Sequence, residues 1–77
     1  MHPLGILIRL NGSRLPIMRM GVDGTIEVQG AYVTFETTIQ TAIRSGYELV
    51  EAIIDLQEAW ETARQRIHPQ AGVCHAH

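Results

Sequence analysis

The chain has one cysteine, no lysine, and no apolar run long enough to cross a membrane. With Cys74 alone, no disulfide can form within the chain, which fits a reducing compartment. The apolar run from Leu4 to Ile8 is followed by Arg9 and lacks both the basic segment and the small-residue cleavage site of a secretory signal. We therefore expect a cytoplasmic protein without a membrane segment.

All six basic residues are arginines, and eight acidic residues give a net charge of -2. This balance offers no electrostatic reason to expect nucleic acid or an anionic membrane as partner. A hydrophobic fraction of 45% is ordinary for a globular protein. We expect a single α+β domain over residues 1–69, followed after Pro69 by a flexible tail over 70–77.

The sequence contains no recognisable catalytic or cofactor-binding motif. No glycine pattern matches a P-loop or a dinucleotide-binding turn, and no histidine falls within the predicted core. Ser13 and Ser45 are expected to serve in a turn and a helix cap, so neither is a candidate nucleophile. We expect that the protein is not an enzyme and has no cofactor.

Asn11-Gly12 and Asp23-Gly24 separate β-rich segments and predict hairpins. If each dipeptide is a two-residue loop, Arg9 pairs with Arg14 and Ile8 pairs with Leu15. Glu27 and Gln29 then face solvent. The opposite face of the sheet is apolar and should be the core face: Leu4, Ile6, Ile8, Leu10, Leu15, Ile17, Ile26 and Val28.

The predicted sheet is a three-stranded antiparallel meander over about 4–10, 14–20 and 25–35. The apolar alternation shifts by one residue after Gly30, which we interpret as a β-bulge. Pro16 has no amide hydrogen to offer a third strand. The third strand should therefore pair only with the end of the second strand, or elsewhere.

From Thr37 the apolar spacing becomes helical. The motif Thr37-x-x-Gln40 resembles a capping box and predicts a helix over about 37–45. Residues 46–67 are ambiguous, and we prefer a single helix with a broad apolar stripe. The alternative is a fourth strand over 47–54, followed by a helix that begins near Asp55. In both cases an antiparallel sheet packs against C-terminal helix.

Cys74, His75 and His77 are the candidate metal ligands. Thiolate and imidazole groups suit zinc and related metals, but a structural zinc site needs four ligands held at defined spacing. One cysteine and two histidines at the end of the chain do not meet this requirement. We expect no specific metal site, and metal binding by this tail is the third functional alternative.

Charged residues give two candidate partner-binding surfaces. Arg9 and Arg14 are expected to lie opposite each other on the outer sheet face, with Arg19 near one edge. Arginine in this arrangement suits carboxylates or guanine edges. If 46–67 is a helix, a stripe of acidic residues forms on it, which is typical of a solvated face and could also dock an arginine-rich partner: Glu48, Glu51, Asp55 and Glu58.

If 46–67 is a helix, the apolar residues exceed what one sheet face and one helix stripe can bury, which predicts a homodimer with contacts around Ile54, Leu56 and Trp60, or on the outer sheet face as second choice. If 47–54 is instead a fourth strand, no spare apolar helix face remains and a monomer is expected. We expect a small interaction module that binds a protein partner. It would be an accessory, inhibitory or regulatory protein of the type that phages and mobile elements encode. The alternative is a sheet-based nucleic-acid-binding or transcription-regulatory protein, which the negative charge disfavours.

Overall fold

The computed structural model describes residues 2–67. The elements, in chain order, are β1 (Gly5–Ile8), β2 (Arg14–Met20), β3 (Thr25–Gln29), β4 (Thr34–Thr38), α1 (Ile39–Arg44), β5 (Glu48–Val50) and α2 (Ile54–Ile67). The five strands form one antiparallel sheet in the order β4-β3-β2-β1-β5. The α+β class is confirmed. Within 46–67 the strand-then-helix alternative is correct, and the preferred continuous helix is wrong.

The first predicted turn exists, but its loop has three residues rather than two. The amide of Arg9 donates to the carbonyl oxygen of Ser13 at 3.3 Å, which leaves residues 10–12 as the loop. Gly12 has a φ of 89°, and Asn11 Oδ1 accepts a hydrogen bond from the Ser13 amide at 3.1 Å. A two-residue loop of this type needs a positive φ at both of its residues, whereas a three-residue loop needs it only at the glycine. Gly12 has a positive φ and Asn11 does not, so the predicted two-residue loop is wrong.

The second turn repeats this arrangement. The Gly21 amide donates to the carbonyl oxygen of Thr25 at 2.7 Å, and Gly24 has a φ of 88°. Asp23 Oδ1 accepts from the Thr25 amide at 3.1 Å, as Asn11 does in the first turn. The two loops are therefore equivalent, and each has one residue more than predicted.

The longer first loop shifts the β1–β2 register by one residue. Leu7 lies opposite Leu15, and Leu7 is the buried residue at 2% exposure. Ile6 and Ile8 are only half-buried on the other face, and Leu10 is fully exposed in the loop, so the predicted place of all three in the core is wrong. A one-residue slip exchanges the two faces of a strand. The core positions of three other sheet residues are confirmed, since all are 0% exposed: Ile17, Ile26 and Val28.

Pro16 marks the point where β2 and β3 separate. Their pairing begins at Ile17 opposite Val28, beyond Pro16, as predicted. The register then shifts between Ile17 and Arg19, which makes Met18 the extra residue of a β-bulge. The bulge expected at Gly30 is wrong, because Gly30–Val33 is a turn and residues 25–35 therefore do not form one strand.

Helix α1 lies within the predicted range 37–45 but begins later. Thr38, rather than Thr37, is the N-cap, and its Oγ1 accepts from the Thr41 amide at 3.1 Å. At the other end Gly46 has a φ of 91°, and its amide donates to a carbonyl oxygen of the last helical turn. Gly46 therefore ends the helix, and the chain continues into β5, which pairs with β1.

The core lies between one face of the sheet and the two helices. The sheet contributes Leu7, Ile17, Ile26 and Val28, and the helices contribute Ile39, Ala42, Ile43, Leu56 and Trp60. Within residues 2–67 no charged or polar side chain is buried. Strands β4 and β5 are the two edges of the sheet.

Candidate protein-binding surfaces

The three candidate arginines do not form one basic surface. The corrected register places Arg14 opposite Ile8, so the predicted pairing of Arg9 with Arg14 is wrong. The Arg9 guanidinium lies 5.0 Å from the centre of the Tyr47 ring, a cation–π distance. The other two arginines contact carboxylates of the same chain: Arg14 Nη2 lies 3.3 Å from Glu51 Oε2, and Arg19 Nε lies 3.5 Å from Glu27 Oε1.

The predicted acidic stripe is also divided. Glu48 belongs to β5 and Glu51 to the connection after it, so neither shares a helix with Asp55 and Glu58. The single stripe is therefore wrong, because the chain from Glu48 to Val50 is a strand. Asp55 and Glu58 remain together in the first turns of α2 and are exposed.

Asp55 and Glu58 line a groove between α2, the start of α1 and the β2–β3 turn. The groove has a volume of about 700 Å³. Its apolar lining includes Met20, Ile39, Ala59 and Ala63, and Val22 and Asp23 reach it from the turn. Arg66 also lies on the groove. With three carboxylates against one guanidinium among the described residues, the groove has a net negative charge.

The carboxylate of Asp23 is held in its ionised form. Hydrogen bonds from the Thr25 backbone and then from the Thr25 side chain lower the pKa of Asp23 below its ordinary value. A similar effect acts on α2 outside the groove, where a hydrogen bond from Arg64 lowers the pKa of Glu61. Asp23 therefore keeps its charge at neutral pH, and this charge is part of the acidic groove.

The residues predicted to form a dimer interface separate into two environments. Leu56 and Trp60 are 0% and 6% exposed within the domain's own core, so their assignment to an intermolecular surface is wrong. Ile54 is 64% exposed. The sequence did not single out the exposed apolar residues at the β3–β4 turn and on β4: Tyr32, Val33 and Phe35.

Across residues 2–67, no three His, Cys, Asp or Glu side chains are grouped so that they could hold a metal ion. The candidates Cys74, His75 and His77 lie outside the described residues. In the same part of the chain, no helix is long and apolar enough to span a membrane.

The comparisons with known proteins add no relationship. No protein-family model matches the chain, and neither the curated proteins nor the solved structures include a significant match.

Proposed function

We propose that the domain is a protein-interaction module, which binds a basic and partly apolar segment of a protein partner in the acidic groove. One observation carries this proposal: the groove combines an apolar lining with three carboxylates, those of Asp23, Asp55 and Glu58. Apolar contact supplies binding energy, and the carboxylates favour a basic segment over an acidic one. The volume of about 700 Å³ is typical of ligand-binding clefts.

Val22 is the proposed apolar anchor at the side of the groove. It is the first residue of the β2–β3 loop, its side chain is fully exposed, and it borders the groove. Leu10 takes the equivalent position in the β1–β2 loop, is equally exposed, and does not line the groove. Because the two positions differ mainly in their surroundings, Leu10 provides a matched control for Val22.

The alternative of nucleic-acid binding through Arg9, Arg14 and Arg19 has less support. Each of these side chains contacts a group of its own chain, and a phosphate would have to compete with that contact. The groove is also negatively charged. A protein partner with arginine or lysine side chains fits these charges better.

Site-specific photo-crosslinking in the native cell tests the proposal. A benzoylphenylalanine at position 22 should give one main protein adduct, and mass spectrometry should locate it in a segment rich in arginine or lysine. The same residue at position 10 should not give this adduct. Glu58→Arg should abolish the adduct at position 22, whereas Glu48→Arg, on the distant β5 edge, should preserve it.

Several results would refute the groove as the binding site. These are the absence of an adduct at position 22, the same adduct from both positions, persistence of the adduct in Glu58→Arg, or a linked segment that is acidic. Circular dichroism of each variant establishes that it is folded.

A further inference from the structure

Strand β4 is an open edge of the sheet, and Glu36 is its one charged residue. It spans Thr34–Thr38 and contains no proline, lysine or bulge. The Gly30 amide donates to the Val33 carbonyl oxygen at 2.8 Å, and the Ile39 amide donates to Gly24 at 2.9 Å. In an antiparallel pair, residues that bond to the neighbouring strand alternate with residues whose backbone groups point outward. Because Val33 and Ile39 bond inward, the backbone groups of Thr34 and Glu36 point away from β3. These groups can bond to an added strand.

Exposed apolar side chains lie beside this open edge. Tyr32 is 101% exposed, Val33 67% and Phe35 41%, and all three belong to β4 or to the turn before it. Phe35 lies opposite Val28, and therefore on the face of the sheet that carries the core. An added strand would pair with the backbone of this edge and place its own side chains beside Phe35.

We propose that the occupant of this edge is a second copy of the chain, which pairs antiparallel through β4 to give one continuous sheet of ten strands. A domain of 77 residues with one cysteine has a small core and gains stability from association. The opposite edge suits pairing less well, because β5 has only three residues and offers few backbone groups to an added strand. The residue after β5, Glu51, is charged and already contacts Arg14. The proposal is independent of the acidic groove.

Charge disfavours one register of the two β4 strands, and the apolar side chains favour another. If Glu36 faced Glu36 of the other copy, the carboxylates would oppose each other beside Glu27, which lies next to Glu36 in the sheet. If Phe35 faces Phe35 of the other copy, Thr34 instead lies opposite Glu36. The outward backbone groups of Thr34 and Glu36 then bond to each other, and the two phenyl rings meet on the two-fold axis. We therefore place the axis at Phe35.

Light scattering coupled to size exclusion measures the predicted assembly. At micromolar concentration the measured molar mass of the intact chain should be twice the 8.6 kDa of one chain. Phe35→Lys should elute as a monomer, whereas Val22→Lys, an equally drastic change at an exposed position away from β4, should remain a dimer. Thr34→Pro removes an outward amide without touching the β3 ladder and should also give a monomer. A monomeric intact chain, or a dimer in both β4 variants, would overturn the proposal.

Disulfide trapping tests the register. In the Cys74→Ser background, Phe35→Cys should form a linked dimer when diamide oxidises the two thiols. Facing residues in such a pair have Cα atoms about 4.5 Å apart, within the range that a disulfide spans. Linkage through Glu36→Cys in preference to Phe35→Cys would contradict the axis at Phe35, and linkage through neither would contradict pairing through β4. Glu58→Arg should leave the mass unchanged, which separates this test from that of the groove.

Discussion

Leu56 occupies the space beside Gly5 that a side chain would need. A Cβ atom on Gly5 would lie 2.8 Å from Leu56 Cδ2 and 2.9 Å from the Cβ of Ala52. Gly5 lies opposite Ile17 on the core face of β1, and Leu56 is fully buried. The close approach of α2 to β1 therefore depends on glycine at position 5.

We predict that Gly5→Ala lowers the free energy of unfolding by about 1–3 kcal/mol, because the added methyl group overpacks the core. Leu56→Val removes the Cδ2 atom that lies nearest to the new methyl group. The cost of Gly5→Ala should therefore be smaller in the Leu56→Val background than in the unaltered chain. Urea unfolding of the four chains measures this coupling, and equal costs in both backgrounds would argue against the contact.

A second prediction compares two neighbours on β1. Leu7 is buried, whereas Ile8 is half-buried on the outer face opposite Arg14. Leu7→Ala should cost about 2–5 kcal/mol and leave little folded protein, while Ile8→Ala should cost clearly less. Thermal unfolding followed by circular dichroism measures both changes. A larger loss from Ile8→Ala would mean that the register of β1 is wrong.

The sequence predicted the class of the fold more reliably than the register of β1. In β3 the alternation is clear, with Ile26 and Val28 on either side of Glu27, so the buried face could be predicted. In β1 apolar residues stand at both odd and even positions, Leu7 as well as Ile6 and Ile8, so alternation did not identify the core face. The loop length had to decide, and Asn-Gly suits loops of both two and three residues.

The candidate groove was predictable only in part. Asp55 and Glu58 were recognised from their helical spacing, which survives in α2. Val22 and Asp23 come from a turn about thirty residues earlier in the chain, and their position beside α2 depends on tertiary packing. The β4 edge was missed for a related reason. The shift in apolar alternation after Gly30 is typical of a bulge as well as of a turn, so it does not by itself reveal that a separate strand follows.

Acid should weaken the β2–β3 turn through Asp23. The Thr25 hydrogen bonds hold the folded pKa of Asp23 below its unfolded value, which is about 3.9. The carboxylate therefore contributes stability above pH about 4, and this contribution is lost as the pH falls through the folded pKa. Asp23→Asn keeps a side-chain oxygen for the Thr25 amide but cannot titrate. Its unfolding free energy should fall less between pH 5 and pH 2 than that of the unaltered chain, and identical pH profiles would exclude this role.

The last prediction concerns Glu51, a non-glycine residue with a φ of 52°. The left-handed conformation costs an L-residue about 1–2 kcal/mol, whereas its exposed ion pair with Arg14 contributes only about 0–1 kcal/mol. Glu51→Ala loses the ion pair and keeps the strain, so it should lower stability slightly. Glu51→Gly loses the same ion pair but relieves the strain, so it should be more stable than Glu51→Ala by about 1 kcal/mol. Urea unfolding in 1 M salt, where the ion pair is screened, should leave this difference between the two variants unchanged. If Glu51→Ala equals or exceeds Glu51→Gly in stability, the turn between β5 and α2 does not hold position 51 in the left-handed conformation.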